Sequence, residues 1–325
     1  MRKIVFKSAN TVALEQYEPG VLDGNSIRIR HLYSQISAGT ELHMLTGAQG
    51  SVKDIVPGYS GVGEVMAGWE GTPFKKGDIV ETGEKHKDTI DLSKDWAIQT
   101  CTPVKKEFAK QATFLPLGKV ALHGLHRVSF KLGDWVVVYG LGIVGNLSAQ
   151  LASLNSAGRV LGIDPSSARR KAAEKVGIRT IDPLVPSYMD TVKEITGDGA
   201  DIIIETSGNG KALVDSFKIA AYGGQISVVG GHFGLRELDM RTDFQNKELS
   251  IVGARRCDGA ASDVYDKWTV MKCMQEFYKL IEDRKVNIDA LISHCIKPEK
   301  ATEIYTRLLN KDESVIGVVF DWTEA

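Results

Sequence analysis

A chain of 325 residues exceeds the roughly 250–300 residues at which a single hydrophobic core stops growing, so two domains are expected. Hydrophobic content of 43%, charged content of 25% and a formal net charge of −1 exclude a disordered or fibrous chain, and the absence of a long Lys/Arg run excludes an obvious nucleic-acid stripe. No apolar run approaches the ~20 residues needed to span a bilayer, so a soluble cytoplasmic chain with no membrane partner is expected.

The first 115 or so residues carry short strands such as SIRIRHLY and GVGEVMAG between Gly and Pro turns, with little helical periodicity. They read as a mostly β domain. From Trp135 onward, β-branched runs alternate with helix-length segments, the pattern of a doubly wound parallel sheet. Strands are predicted at 135–140, 159–164, 178–182, 201–206, 225–230 and 249–254, and their near-continuous apolar character suits burial on both faces. A helix is predicted over 265–284, followed by a strand, helix and strand in IDALISHCIKPEKATEIYTRLLNKDESVIGVVFDW. Assigning that tail to the first domain gives boundaries of 1–116, 117–264 and 265–325.

The motif GLGIVG (140–145) directly follows the strand WVVVY and opens a helical segment. Gly140 permits the turn, Gly142 lets the backbone approach a pyrophosphate, and Gly145 allows close helix–strand packing, with Ile143 and Val144 starting the helix whose N-terminus faces the phosphates. Asp164, 19 residues past Gly145, ends the next strand, where a carboxylate accepts from ribose hydroxyls and disfavours a 2′-phosphate. NAD is therefore the expected cofactor, although Arg169 and Arg170 lie close enough to recruit that phosphate instead. Asp164 read as a helix N-cap before Pro165 is compatible with this role. Thr206 and Ser207 end one later strand, and Val229, Gly230 and Gly231 end another. Both are expected to line the cofactor site.

Three segments, SAGTELHMLTG (37–47), VPGYSGVGEV (56–65) and FLPLGKVALHGLHR (114–127), precede this motif. Together they resemble the medium-chain dehydrogenase/reductase family, in a zinc-lacking branch similar to sugar and alcohol dehydrogenases and to bacteriochlorophyllide-type hydroxyethyl dehydrogenases. The resemblance covers almost the whole chain. It implies an α/β fold, a Rossmann doubly wound parallel sheet plus a discontinuous GroES-like β domain, with the active site in the cleft. It also implies a homodimer formed through the last Rossmann strand, or a tetramer.

Zinc-dependent members hold their metal with a Cys in C-G-T-D-x-H, a His in G-H-E, and a later Cys or Glu. Those positions align here with Ala38, with Tyr59 and with Leu115, none of which is a thiolate, imidazole or carboxylate. Cys101, Cys257, Cys273 and Cys295 are scattered without CxxC spacing, which argues against a thiolate knot or a disulfide framework, so they are read as reduced and mostly buried. No metal is expected, and His86, His123 and His126 are read by default as surface or packing residues.

Without a metal, another group must hold or donate the substrate proton. Tyr59 takes the place of a ligand, and Lys119 is the cation that could lower a phenol from its usual pKa of about 10. The plainer alternative is that Tyr59 fills the vacated metal pocket and Lys119 is a solvated charge. Thr40 matches the family hydroxyl that contacts the substrate oxygen, and His43 the outer relay histidine or a turn cap. Glu41, His232 and Arg255 are candidate substrate contacts, with a surface role equally open for Arg255 and Arg256. The expectation is a zinc-independent, NAD(H)-dependent dehydrogenase of a secondary alcohol on a polyol, sugar or cyclitol. The alternatives are an NADPH-dependent quinone or enoyl reductase and a non-catalytic dinucleotide-binding scaffold or sensor.

Overall fold

The structure is a computed structural model that describes all residues except 49, 157, 232–237, 255–267 and 324–325. The chain divides into two compact units, one made of Met1–Pro116 and Met274–Ala325, the other of Leu117–Cys273.

The first unit begins with a hairpin of β1 (Arg2–Ser8) and β2 (Thr11–Gln16). There follow β3 (Ser26–Gln35), α1 (Ala38–Leu45), β4 (Gly61–Ala67), β5 (Ile79–Glu81), β6 (Thr89–Ser93), α2 (Lys94–Thr100), β7 (Thr102–Pro103) and α3 (Ala109–Ala112). Along β3, Ile27 and Ile29 turn into a core shared with Val65, Val80 and Leu92, while Arg28 and Arg30 face outward to Asp91 and Glu64. This is the period-2 alternation of a sheet with one buried face. Helix α4 (Leu115–His126) carries the chain across the first boundary.

The second unit contains β8 (Val136–Tyr139), α5 (Ile143–Asn155), β9 (Val160–Ile163), α6 (Ser167–Glu174), β10 (Arg179–Ile181), α7 (Tyr188–Thr196), β11 (Ala200–Glu205), α8 (Gly210–Ile219), β12 (Ala220–Val228) and β13 (Ser250–Gly253). Its sheet runs β10-β9-β8-β11-β12-β13, with every neighbouring pair parallel. Numbered within the unit, this is the order 3-2-1-4-5-6 of a Rossmann fold, which reverses between β8 and β11 and leaves a crevice beyond the strand ends. Val136, Val137 and Val138 are fully buried, as the apolar run of a central parallel strand requires. Each of the six predicted strands overlaps one of these strands.

Helix α9 (Val270–Glu282) returns the chain to the first unit, where β14 (Ile292–Ile296), α10 (Ala301–Leu309) and β15 (Gly317–Asp321) form a parallel strand–helix–strand. β15 pairs antiparallel with β3, Val319 opposite Gln35, so the tail extends the sheet order β14-β15-β3-β4-β5-β7, with β6 on β3 as well. α10 packs Ile304, Tyr305 and Leu308 against Ile4, Phe6, Leu45 and Phe320.

Three sequence expectations need adjustment. The first segment contains α1 and α2, which escape a periodicity reading because they are short, and because Gly39 and Thr40 mask the apolar spacing of α1. The helix expected over 265–284 is observed as Val270–Glu282, and it stops before Arg284, whose φ of 54° is left-handed. The first unit resumes at Met274, inside α9, and not at residue 265. Cys101 and Cys273 are buried, Cys295 is exposed on β14, and Cys257 lies outside the described residues. Among the described residues, no helix is long and apolar enough to cross a membrane.

Candidate active site

In the Rossmann unit, the loop after β8 is shaped by what its glycines lack. Gly140 has a φ of +83°, and a Cβ there would sit 2.8 Å from the Ser207 Cα. A Cβ on Gly145 would lie 1.7 Å from the Gly140 carbonyl oxygen, so the third glycine is where the helix presses on its own turn. Gly142 has nothing within 4 Å of its would-be Cβ, which leaves an open approach above the backbone. Gly142 is also the N-cap of α5 and no side chain caps that helix, so the N–H groups of Ile143, Val144 and Gly145 remain for an anion. These are the features a dinucleotide pyrophosphate requires.

Asp164 follows β9 and is 2% exposed. Its Oδ2 accepts from the Leu141 N–H at 2.7 Å and its Oδ1 from the Ser166 N–H at 2.8 Å, tying the glycine loop to the next turn. A carboxylate has about four lone-pair sites, so capacity remains for ribose hydroxyls. The cap of α6 is Ser166, and Asp164 is not its N-cap. Arg169 Nη1 lies 3.6 Å from Asp164 Oδ2, whereas Arg170 is spent on the Asp164 and Pro165 carbonyls and on Asp182.

At the neighbouring strand ends, Thr206 Oγ1 donates to the Tyr139 and Gly140 carbonyls at 2.9 Å each. Ser207 donates its N–H at 2.9 Å, and its hydroxyl, to the fully buried Glu205 carboxylate. Val229 and Gly230 donate their N–H groups to the Glu205 carbonyl, and Gly231 has open space at its Cα. His232 and Arg255, with Arg256, lie outside the described residues.

In the other unit, Gly58 has a φ of +100°, and a Cβ there would meet the His86 amide nitrogen at 2.8 Å and its ring at 2.9 Å. That glycine aims Tyr59 at the start of α1. The Tyr59 hydroxyl donates to Ser37 Oγ and lies 3.5 Å from Thr40 Oγ1. Ser37 is the N-cap of α1, yet its hydroxyl makes no cap bond to the helix. His43 Nδ1 donates to the Gly39 carbonyl one turn back, at 2.6 Å.

Glu41, expected to touch substrate, is fully buried, and its carboxylate is engaged inside the unit by Ser37, His86 and Tyr305. The expectation failed because the helix α1, which turns Glu41 inward, was not foreseen. Tyr59 and Thr40 are therefore brought together, while Lys119 belongs to the Rossmann unit and Tyr59 to the other. Sequence reasoning missed Ser37, Ser34, Tyr305 and Trp322. Ser37 had one available signal, a serine directly before a helix start, a residue type favoured at an N-cap.

The donors for a metal are absent where the resemblance puts them. Ala38 opens α1, Tyr59 offers a phenol, and Leu115 is fully buried. Among the described residues, no group of three His, Cys, Asp or Glu could hold a metal ion. His126 instead stacks on Trp268, ring centroids 4.4 Å apart, and His123 is largely buried on the same helix.

Residues 144–275 match a family model described as zinc-binding dehydrogenase. The chain is 27% identical to the D-guloside 3-dehydrogenase of Escherichia coli (strain K12), over 98% of this chain and all of that protein. The galactitol-1-phosphate dehydrogenase of Escherichia coli superposes with a TM-score of 0.83 at 18% identity, covering 99% of this chain and 100% of that one. A short chain alcohol dehydrogenase from Escherichia coli CFT073, complexed with NADH, superposes with a TM-score of 0.82 at 15% identity, over 99% of both chains. With the 3-2-1-4-5-6 sheet, the glycine cradle and a relative matched end to end, the chain is a dehydrogenase-type oxidoreductase similar to the medium-chain dehydrogenases/reductases, with a cradle for a nicotinamide dinucleotide.

Proposed function

We propose that this enzyme is a zinc-independent, NAD(H)-dependent dehydrogenase acting on a secondary alcohol of a polyol, sugar or cyclitol. The observation that carries this reading is a tyrosine hydroxyl, held by Ser37 and beside Thr40, at a position where zinc relatives keep a metal ligand. The match to the zinc-binding dehydrogenase model spans 144–275 and so includes none of Ala38, Tyr59 and Leu115. Two of the proteins it resembles are named for sugar-derived substrates. NAD is favoured because a 2′-phosphate would meet the Asp164 carboxylate, to which Arg169 is already drawn.

The Gly140–Gly145 loop and the first turn of α5 would hold the pyrophosphate, and Asp164 the ribose. Bound there, the dinucleotide supplies the hydride acceptor or donor. Once ionised, with the Ser37 hydroxyl turned to donate to it, Tyr59 Oη takes the hydroxyl proton as the carbinol carbon gives up its hydride with the bonding pair, and returns that proton in the reverse direction. Thr40 orients the substrate oxygen, and Lys119 is the cation proposed to favour the phenolate. Ser250, Ile251 and Gly253 on the edge strand β13 support a homodimer by sheet continuation.

The test is absorbance of the reduced nicotinamide, with NAD and then NADP, over a panel of sugars, cyclitols and secondary alcohols, with and without chelator. Chelator-insensitive turnover with NAD is the expected result. Silence on the panel with NADPH-driven reduction of enones or quinones would replace this reading with the reductase, and tight NADH binding without any turnover would replace it with the scaffold.

A further inference from the structure

Behind Tyr59 lies a closed polar cluster that the proposed reaction does not use directly. Ser34, Glu41, His86 and Tyr305 are each 0% exposed, and Trp322 is 4% exposed. Trp322 Nε1, a donor only, donates to Ser34 Oγ at 2.9 Å, and Ser34 Oγ lies 2.8 Å from His86 Nδ1. The Glu41 carboxylate, whose Oε2 lies 3.2 Å from Nε2, can only accept, so the imidazole proton sits on Nε2 and the Nδ1 of the neutral ring accepts from the serine hydroxyl. Donation thus runs one way, from Trp322 through Ser34 and His86 to Glu41.

The Tyr305 hydroxyl also donates to Glu41 Oε2, and the Ser37 N–H donates to Glu41 Oε1 at 2.7 Å. Both carboxylate oxygens face donors. Burial and the neighbouring Glu41 charge push the Tyr305 phenol well above its ordinary range, so it stays a donor.

Burying a carboxylate is unfavourable unless it is fully hydrogen-bonded, and an apolar side chain of similar volume would often hold the core as well or better. What an apolar residue cannot do is fix Ser37. We propose that Glu41, clamped by Tyr305 and His86, is a positioning residue that sets the Ser37 backbone and thereby aims the hydroxyl that accepts from Tyr59. The proposal rests on the reading of Tyr59 as the proton-transfer group. Two routes lead from the cluster to that phenol. One passes through the Ser37 N–H, and the other through the His86 ring and amide, against which Gly58 packs without room for a side chain.

The test uses the full chain in a double-mutant cycle of Tyr59→Phe and Tyr305→Phe, with NAD and the panel alcohol that turns over fastest. Alongside it, fluorotyrosine-labelled Glu41→Gln protein is compared with wild type by fluorine NMR, where the Tyr59 line is identified by its loss in Tyr59→Phe. We expect Tyr305→Phe to lower kcat about tenfold at unchanged KM and NADH affinity, with the double variant no slower than Tyr59→Phe, because misplaced groups lose rate without losing binding. The Tyr59 line is expected to move in Glu41→Gln.

A slow Tyr59→Phe beside a Tyr305→Phe with wild-type kcat overturns the positioning role and spares the reading of Tyr59. Wild-type turnover in Tyr59→Phe overturns both. Losses that multiply in the double variant show that Tyr305 acts elsewhere and overturn the proposal. If no alcohol turns over, the fluorine line alone decides, and an unmoved Tyr59 line overturns it.

Discussion

The glycine loop of the Rossmann unit and the tyrosine cluster of the other unit are built on opposite principles. The loop is made of backbone. Gly140, Gly142 and Gly145 act through absent atoms, and the motif itself lies within one strand, one turn and one helix, with Ser207 and Asp164 closing on it from the neighbouring strand ends. The cluster is made of side chains, and Tyr305 reaches Glu41 across 264 positions in sequence. The loop has no room for a Cβ at Gly140 or Gly145, whereas a side-chain site tolerates many changes of shape but few of hydrogen-bonding capacity.

This contrast can be broken most sharply at Gly145. A methyl there would lie 1.7 Å from the Gly140 oxygen, so Gly145→Ala is expected to displace the loop and weaken NADH binding by about a hundredfold or more, read by fluorescence titration. Wild-type affinity would mean that the cradle yields more easily than its geometry implies.

The complementary expectation is Tyr59→Phe, which keeps the ring and removes one hydroxyl. It should lower kcat about a hundredfold, the scale of a lost proton-transfer group, and leave NADH affinity unchanged. A change in NADH binding of similar size would erase the division of labour between the two regions.

Asp164→Asn sharpens the comparison from the Rossmann side, since an amide keeps the shape but halves the acceptor capacity that serves Leu141 and Ser166. Preference for NAD over NADP, measured as the ratio of kcat/KM, is expected to fall by about tenfold as the repulsive charge is removed. An unchanged ratio would assign Asp164 to holding the loop alone.

A last effect is read in stability and lies in the sheet of the tyrosine unit. His31 is fully buried, its Nδ1–H donates to the Lys87 carbonyl, and burial pushes the imidazole down to about 4 from an ordinary 6.5. The unfolded chain therefore binds a proton between these values and the folded chain does not, so stability is lost as pH falls from 6.5 toward 4. Relative to its own stability at pH 7, a His31→Gln variant should lose about 2 kcal/mol less than wild type by pH 5, as read by urea denaturation. Equal losses would place the acid sensitivity elsewhere.

The same contrast explains what the sequence revealed. The six parallel strands and GLGIVG were legible because continuous apolar runs and glycine spacing are local signals, and the strand ends that line the loop followed from them. Tyr59 was legible only because a known metal position had been vacated. The inward turn of Glu41 was not, since it depends on a helix of only eight residues, in which Ala38, Leu42, Met44 and Leu45 supply the apolar packing. Tyr305 and Trp322 carried no signal at all. Each looks like an ordinary aromatic of an amphipathic helix or an edge strand until β15 pairs with β3 and brings both to the cluster.

That pairing has a consequence for how the protein is made. Everything the Rossmann sheet needs has left the ribosome once residue 253 has emerged, whereas the sheet around Tyr59 lacks β14 and β15 until residue 321 is synthesised. The unit begun first is finished last, against the usual order in which N-terminal domains fold first. A chain stalled or cleaved between these points would own the nucleotide fold without the clamp on Glu41, and would grip the dinucleotide while leaving the tyrosine unaimed.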